Sequence, residues 1–177
     1  MINHQRQHCH RVRSRRGVQI LESVLVLPIL LIAFLAIFQF GPLMIMQASL
    51  TNAAEETARE TSKIYEFDIN DATDVNKSES VANTILGAAH GLSTASPGVL
   101  LILENIDGVA CRGDAALESL YCPAATSITD SLETRATLIV NISDAPVPQL
   151  LQTFGVTLSD QRFQIPAVVR KDFAPVP

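Results

Sequence analysis

The sequence predicts an α+β protein with a long N-terminal helix, a second helix and a small, about three-stranded sheet, antiparallel by expectation. Three observations predict it. Residues 24–46 form an uncharged apolar run of 23 residues. A polar but helix-periodic stretch follows it without Pro or Gly. Further along, short runs alternate apolar and polar side chains, the period of a half-buried strand.

Residues 24–46 are long enough to cross a hydrocarbon core, for which roughly 20 apolar residues suffice. Gln39 is the one strongly polar side chain among them. Pro28 lies near the start, where few preceding carbonyls are available to clash with it, and Gly41 and Pro42 lie near the outer end, where they can kink the helix. Beyond Met46, the residues Leu50, Ala53, Ala54, Thr57, Ala58, Thr61, Ile64 and Tyr65 recur at helical spacing. Glu55 and Arg59 attract at i,i+4, while Arg59 and Lys63 repel. The expectation is one helix from about Gln19 to Tyr65, on the order of 70 Å long at 1.5 Å per residue. Its first half is apolar all round and its second half amphipathic.

A second helix is expected over about residues 74–90. Asp71 or Thr73 would cap it, Gly91 would end it, and Val81, Ile85, Leu86 and Ala89 would share one side. The near-continuous apolar run VLLILENI reads as a strand. GVACRGDAALESLYCP reads as a loop carrying Cys111 and Cys122. In ETRATLIVNIS, Ala136, Leu138, Val140 and Ile142 face one way, which predicts a strand buried on one side. Pro146 and Pro148 then end it, and QLLQTFGV reads as a short helical turn. RFQIPAVVRKDF is a third strand with Phe163, Ile165, Ala167 and Val169 on one face, and Pro166 assigns it to an edge or a bulge. The expected parts are therefore a basic leader (1–17), a membrane and amphipathic helix (18–65) and an exported α+β domain (66–177).

Charge sets the orientation. Residues 1–17 hold Arg6, Arg11, Arg13, Arg15 and Arg16 and no acid, whereas the remainder holds eight basic and eighteen acidic residues, a net of −10. Positive flanks stay in the cytoplasm, so the body after the apolar run is exported across the inner (cytoplasmic) membrane. The run exceeds the roughly 7–15 apolar residues of a cleaved secretory signal, which favours a retained helix in contact with membrane lipid. An acidic body with no Trp argues against nucleic acid as a partner.

Cys111 and Cys122 have ten residues between them. In an oxidising compartment this spacing admits a disulfide, with a contribution on the order of 3 kcal/mol or less; two free thiols are the alternative. His4, His8, Cys9 and His10 read as a solvated basic tail rather than a metal site. Asp68, Asn70, Asp74, Asn76 and Glu79 approach a calcium-loop spacing, but Thr73 stands where that loop needs Gly and Ala72 offers no ligand oxygen, so a capped turn is expected. Asn141-Ile142-Ser143 matches a glycosylation sequon by coincidence. No catalytic or cofactor motif is present, His90 reads as structural or solvated rather than as a general base, and neither enzyme activity, a cofactor, a metal nor a small-molecule substrate is expected. Glu22 stands out, because a carboxylate at a bilayer centre costs roughly 2.5–3.5 kcal/mol even on the lenient scale.

RRG, four residues, Glu22 and then the apolar run resemble a class III signal of type IV pilin-like proteins. The longer stretch LPILLIAFLAIFQFGPLMIMQASLTNAAEETAR is similar to the N-terminal module of the TadE-like family, with Phe40-Gly41, residues 50–54 and Arg59 at the matching places. This resemblance covers about residues 15–65. It implies a non-enzymatic minor pilin or pseudopilin of a tight-adherence (Flp-type) system. It further implies a prepilin peptidase that cuts between Gly17 and Val18, other pilin-like subunits as partners, and a Glu22 that neutralises a neighbouring subunit's N-terminal amine. The alternative is an uncleaved single-pass membrane protein whose exported α+β domain binds a ligand or partner.

Overall fold

The computed structural model describes residues 15–64, 67–144 and 161–171 together with positions 152 and 155, and side chains from residue 19 onward. The chain divides into two units, Met1–Phe38 and Gln39–Pro177. The element order is α1 (Arg15–Lys63), α2 (Ala72–His90), β1 (Val99–Asn105), β2 (Gly108–Gly113), α3 (Ala115–Tyr121), β3 (Glu133–Asn141) and β4 (Arg162–Arg170). The class is α+β, as the sequence predicts. The early histidines, Cys9, Tyr65, Pro146 and Pro148, and most of the QLLQTFGV turn lie outside the described residues.

In the second unit the strands form one antiparallel sheet in the order β2-β1-β3-β4. The small antiparallel sheet that the sequence predicts has four strands, one of them read from the sequence as loop. GVACRG is β2, not loop, and AALESLY beyond it is helix α3. The reason is a two-residue hairpin. Asn105 pairs with Gly108, and the Asn105 side-chain oxygen accepts the Asp107 and Gly108 N–H groups, so Ile106-Asp107 turns the chain back along β1. Asn105, a residue type whose side chain closes turns on the backbone just after it, was the available signal. Cys111 and Cys122 form a disulfide, their Cα atoms 6.1 Å apart, which ties α3 to β2.

β1 is buried along its whole length, which explains its unbroken apolar run. Val99, Leu101 and Leu103 join Ala136, Leu138, Val140 and Ala167 in a cluster with Met46, Leu50, Ala53, Ala54 and Ala58 of α1 and Val75, Ala82 and Leu86 of α2. Leu100, Ile102 and Ile139 face the other way, against Leu117 of α3 and Cys111. Ile139 had no place in a strand buried on one side; α3 supplies the second cover. Ion pairs contribute less here. Arg59 and Lys63 each lie near Glu56, at 3.7 and 3.9 Å, which offsets their mutual repulsion, yet all three side chains are substantially exposed. Such pairs contribute about 0–1 kcal/mol, against about 1.5–3 kcal/mol for one fully buried Leu or Met.

α2 is capped as its sequence suggests. Asp71 accepts the Thr73 N–H at 2.8 Å, and Gly91 closes the helix in the left-handed region at φ 66°. The buried face is rotated from the expected one: it runs through Val75, Ser78, Ala82 and Leu86, while Ala89 is exposed. Small residues line it because α1 comes close; the Thr61 hydroxyl donates to the Ser78 hydroxyl at 2.9 Å.

Both sheet edges resist extension. Lys171 N–H donates to Leu132 O and Ile142 N–H to Gln161 O, so alternate residues of β3 bond β4 and the Thr137–Pro166 pair between them does not. The Pro166 nitrogen therefore points to the open side of β4, where it denies an incoming strand a donor. On β2 the Arg112 guanidinium donates to the Cys111 carbonyl at 3.2 Å.

Two stability predictions follow from the β2–α3 corner. Gly113 has φ 149°, and a Cβ there would clash with the backbone of Val99 and Leu100. Gly113→Ala is expected to destabilise the protein by about 1–3 kcal/mol, read by denaturant unfolding in detergent; an unchanged midpoint would contradict this. Asp114 caps α3 and accepts N–H groups from Gly98 and Ala116, both at 2.8 Å, which lowers its pKa below the ordinary carboxylate value. Because the folded pKa is the lower one, this stabilisation is complete above the unfolded value of about 3.9 and is lost as pH falls through the folded pKa. Melting temperature should drop below about pH 4, and Asp114→Asn should lower it at neutral pH while flattening that acid slope.

Candidate functional site

α1 forms because residues 18–40 contain no Gly, one Pro and many Leu, Ile, Val, Phe and Ala side chains. Pro28 and the Gly41-Pro42 pair lie inside α1 without ending it. By length and composition, Gln19–Lys63 is a helix able to cross a membrane, with none of its most apolar window buried. Ile20, Leu21, Leu25, Leu30, Phe34 and Ile37 are each at least 60% exposed. The Phe34 and Phe38 rings lie 4.6 Å apart, one turn separating them. An apolar helix exposed on every side suits lipid, since its backbone groups are bonded within the helix. This single N-terminal span supports membrane anchoring.

The polar groups in this segment are few. The Ser23 hydroxyl donates to Gln19 O at 2.9 Å, which satisfies it without a partner helix. Glu22 is exposed and shares a helix face with Gln19, Ser23, Val26 and Leu30. Among the described residues it has no ion-pair partner. Gly17 and Val18 lie within α1, so their connecting peptide is helical here. Glu22 thus sits one turn beyond Val18.

The remaining singled-out residues do not converge. Asp68 accepts the Asn70 N–H, Asp74 pairs with Lys77 at 3.0 Å, and Glu79 reaches Arg112 at 3.8 Å and the Thr94 hydroxyl. Each carboxylate is spent on a separate turn, helix or strand contact. His90 ends α2 with its ring Nε2 buried and without a hydrogen-bond partner among the described residues. Asn141 ends β3, and its N–H donates to Gly98 O.

Sequence reasoning missed three pairings that brace the second unit. Glu104 of β1 and Arg135 of β3 are register partners, with side chains 3.4 Å apart and the Arg also donating to Ser127. Glu104 is almost wholly buried, so loss of Arg135 would strand a charge. The Arg162 guanidinium of β4 lies over the Tyr121 ring at 4.4 Å and joins α3 to the far edge of the sheet. Thr94 exchanges two hydrogen bonds with the Asn83 amide, at 2.7 and 3.1 Å, which fastens the loop after α2 to that helix. Only Glu104–Arg135 had a signal, as opposite charges on adjacent predicted strands.

Comparison with curated proteins and with solved structures gives no match. Residues 17–59, the apolar helix together with the first part of its protein-covered continuation, match the family model described as TadE-like protein.

Proposed function

We propose that this protein is a pilin-like subunit, minor pilin or pseudopilin, of a tight-adherence (Flp-type) pilus assembly and secretion system. The observation that carries this reading is Glu22: a lone carboxylate, unpaired among the described residues, at the head of an exposed apolar helix whose segment is TadE-like. On this reading the helix anchors the chain in the inner membrane, with the basic leader in the cytoplasm and the α+β domain exported. A prepilin peptidase hydrolyses the Gly17–Val18 bond. Water supplies the hydroxyl that leaves Gly17 with a carboxylate, and Val18 becomes a positively charged α-amine.

That amine answers the cost of Glu22. A carboxylate drawn into lipid or into a bundle of apolar stems requires a cation, and a desolvated pair is favourable only when both charges are matched. Within one chain Val18 and Glu22 are a turn apart on a helix. Between chains, the amine of one subunit can meet Glu22 of the next and set their axial register. The polar, capped and disulfide-tied domain then remains outside, where it supports or caps the assembly. Partners of this kind are other pilin-like subunits and the peptidase.

Two outcomes are expected. Intact-mass analysis of the membrane-extracted protein should find a chain that begins at Val18, with the net charge changed from −5 to −10 through loss of five arginines; a chain still carrying the leader would instead favour an uncleaved single-pass protein with a binding domain. Glu22→Leu should insert into the membrane as well as the wild type and lose at least tenfold in incorporation into filaments, the effect of about 1.4 kcal/mol or more per contact. Normal incorporation of that variant would refute the proposed role.

A further inference from the structure

Over its residues 39–46, α1 carries two unlike faces. Gln39, Leu43 and Met46 are buried inside the second unit, while Phe40, Met44 and Ile45 on the same two turns are 44, 66 and 65% exposed. No charge occurs between Glu22 and Glu55. That uncharged stretch, residues 23–54, would extend about 48 Å as helix, whereas a hydrocarbon core is about 30 Å thick. Composition therefore leaves the outer membrane boundary free to lie anywhere along several turns.

Burial removes the freedom. Residues 19–38 include no buried side chain. The part from Leu21 to Phe38 is about 27 Å long, close to the thickness of a hydrocarbon core. From Gln39 onward one face of the helix is occupied by protein, so lipid cannot surround it. The exposed side nevertheless stays apolar for two more turns, through Phe40, Met44 and Ile45, before Gln47, Asn52 and Glu55 take over.

We propose that the outer limit of the hydrocarbon lies at about Gln39, and that Phe40, Met44 and Ile45 form an apolar strip seated in the headgroup region of the outer leaflet. The partner of this surface is the lipid interface. Headgroup depth accepts both the charged unit packed on one side of the helix and the apolar strip on the other, whereas bulk water would leave the strip wet and the hydrocarbon would have to desolvate the unit's charges. No charged residue separates the strip in sequence from the apolar run that precedes it. This inference rests on the reading of α1 as a membrane span.

The chain contains no Trp, so a single introduced indole reports alone. Full-length Phe34→Trp, Met44→Trp and Asn52→Trp proteins are reconstituted separately in phosphatidylcholine vesicles that carry bromine either deep or shallow in the acyl chains. Phe34→Trp should be quenched most by deep bromine, Met44→Trp several-fold more by shallow than by deep bromine, and Asn52→Trp by neither. Deep quenching of Met44→Trp would overturn the proposal, since the hydrocarbon would extend past Gln39. So would a Met44→Trp insensitive to both, either with solvated emission or with blue-shifted emission that grows with protein-to-lipid ratio, the latter marking a second copy as the occupant. A Phe34→Trp that no brominated lipid quenches would instead defeat the membrane reading itself.

Discussion

One continuous helix has to satisfy two environments, and the rest of the molecule is arranged around that constraint. Along its first half α1 is exposed on all sides and apolar on all sides. Along its second half Leu50, Ala53, Ala54 and Ala58 are buried almost completely against the core. The side chains change accordingly, from Leu, Ile, Val and Phe to Ala and Thr. Large branched residues suit lipid, which conforms to any shape. Small ones let a helix approach a sheet and a second helix, as the Thr61–Ser78 hydrogen bond records. Thr57 and Thr61 are buried on this face because each hydroxyl donates to the carbonyl one turn earlier.

The sheet depends on that helix for its apolar cover and on α3 for the rest. β1 is the central member in energetic terms, buried on both faces and paired on both edges. Helix α3 is only seven residues long and would not hold its place by propensity. It is held instead by its Asp114 cap, the Cys111–Cys122 disulfide, the buried Leu117 and the Arg162–Tyr121 contact. A bond of this kind persists in an oxidising compartment. With Pro166 on one edge and the Arg112 guanidinium on the other, strand addition is disfavoured.

On the proposed function, electrostatics separates the two ends of the molecule's work. Surface charges such as Arg59, Lys63 and Glu56 lie in water and are screened, so they adjust solubility more than they direct assembly. Glu22 lies where screening is weak. A charge there has large consequences whether it is matched or left alone, and the same acid that burdens an isolated subunit can specify how subunits align.

By itself the sequence determined the elements whose signal is local. The apolar run, the amphipathic continuation, β1, β3, β4 and the Gly91 end of α2 could be read directly, and the cap at its start was narrowed to Asp71 or Thr73, because periodicity and capping are carried by neighbouring residues. The TadE-like character of the N-terminal segment was legible for the same reason. Tertiary structure alone decided that GVACRG pairs as a strand, that α2 buries Val75, Ser78 and Ala82 rather than Val81 and Ala89, and that Ile139 finds a second core. It also decided where protein begins to cover α1, at Gln39, within a stretch uncharged from end to end. Each of these depends on which distant surface arrives opposite a residue, and short windows of sequence contain no record of that partner.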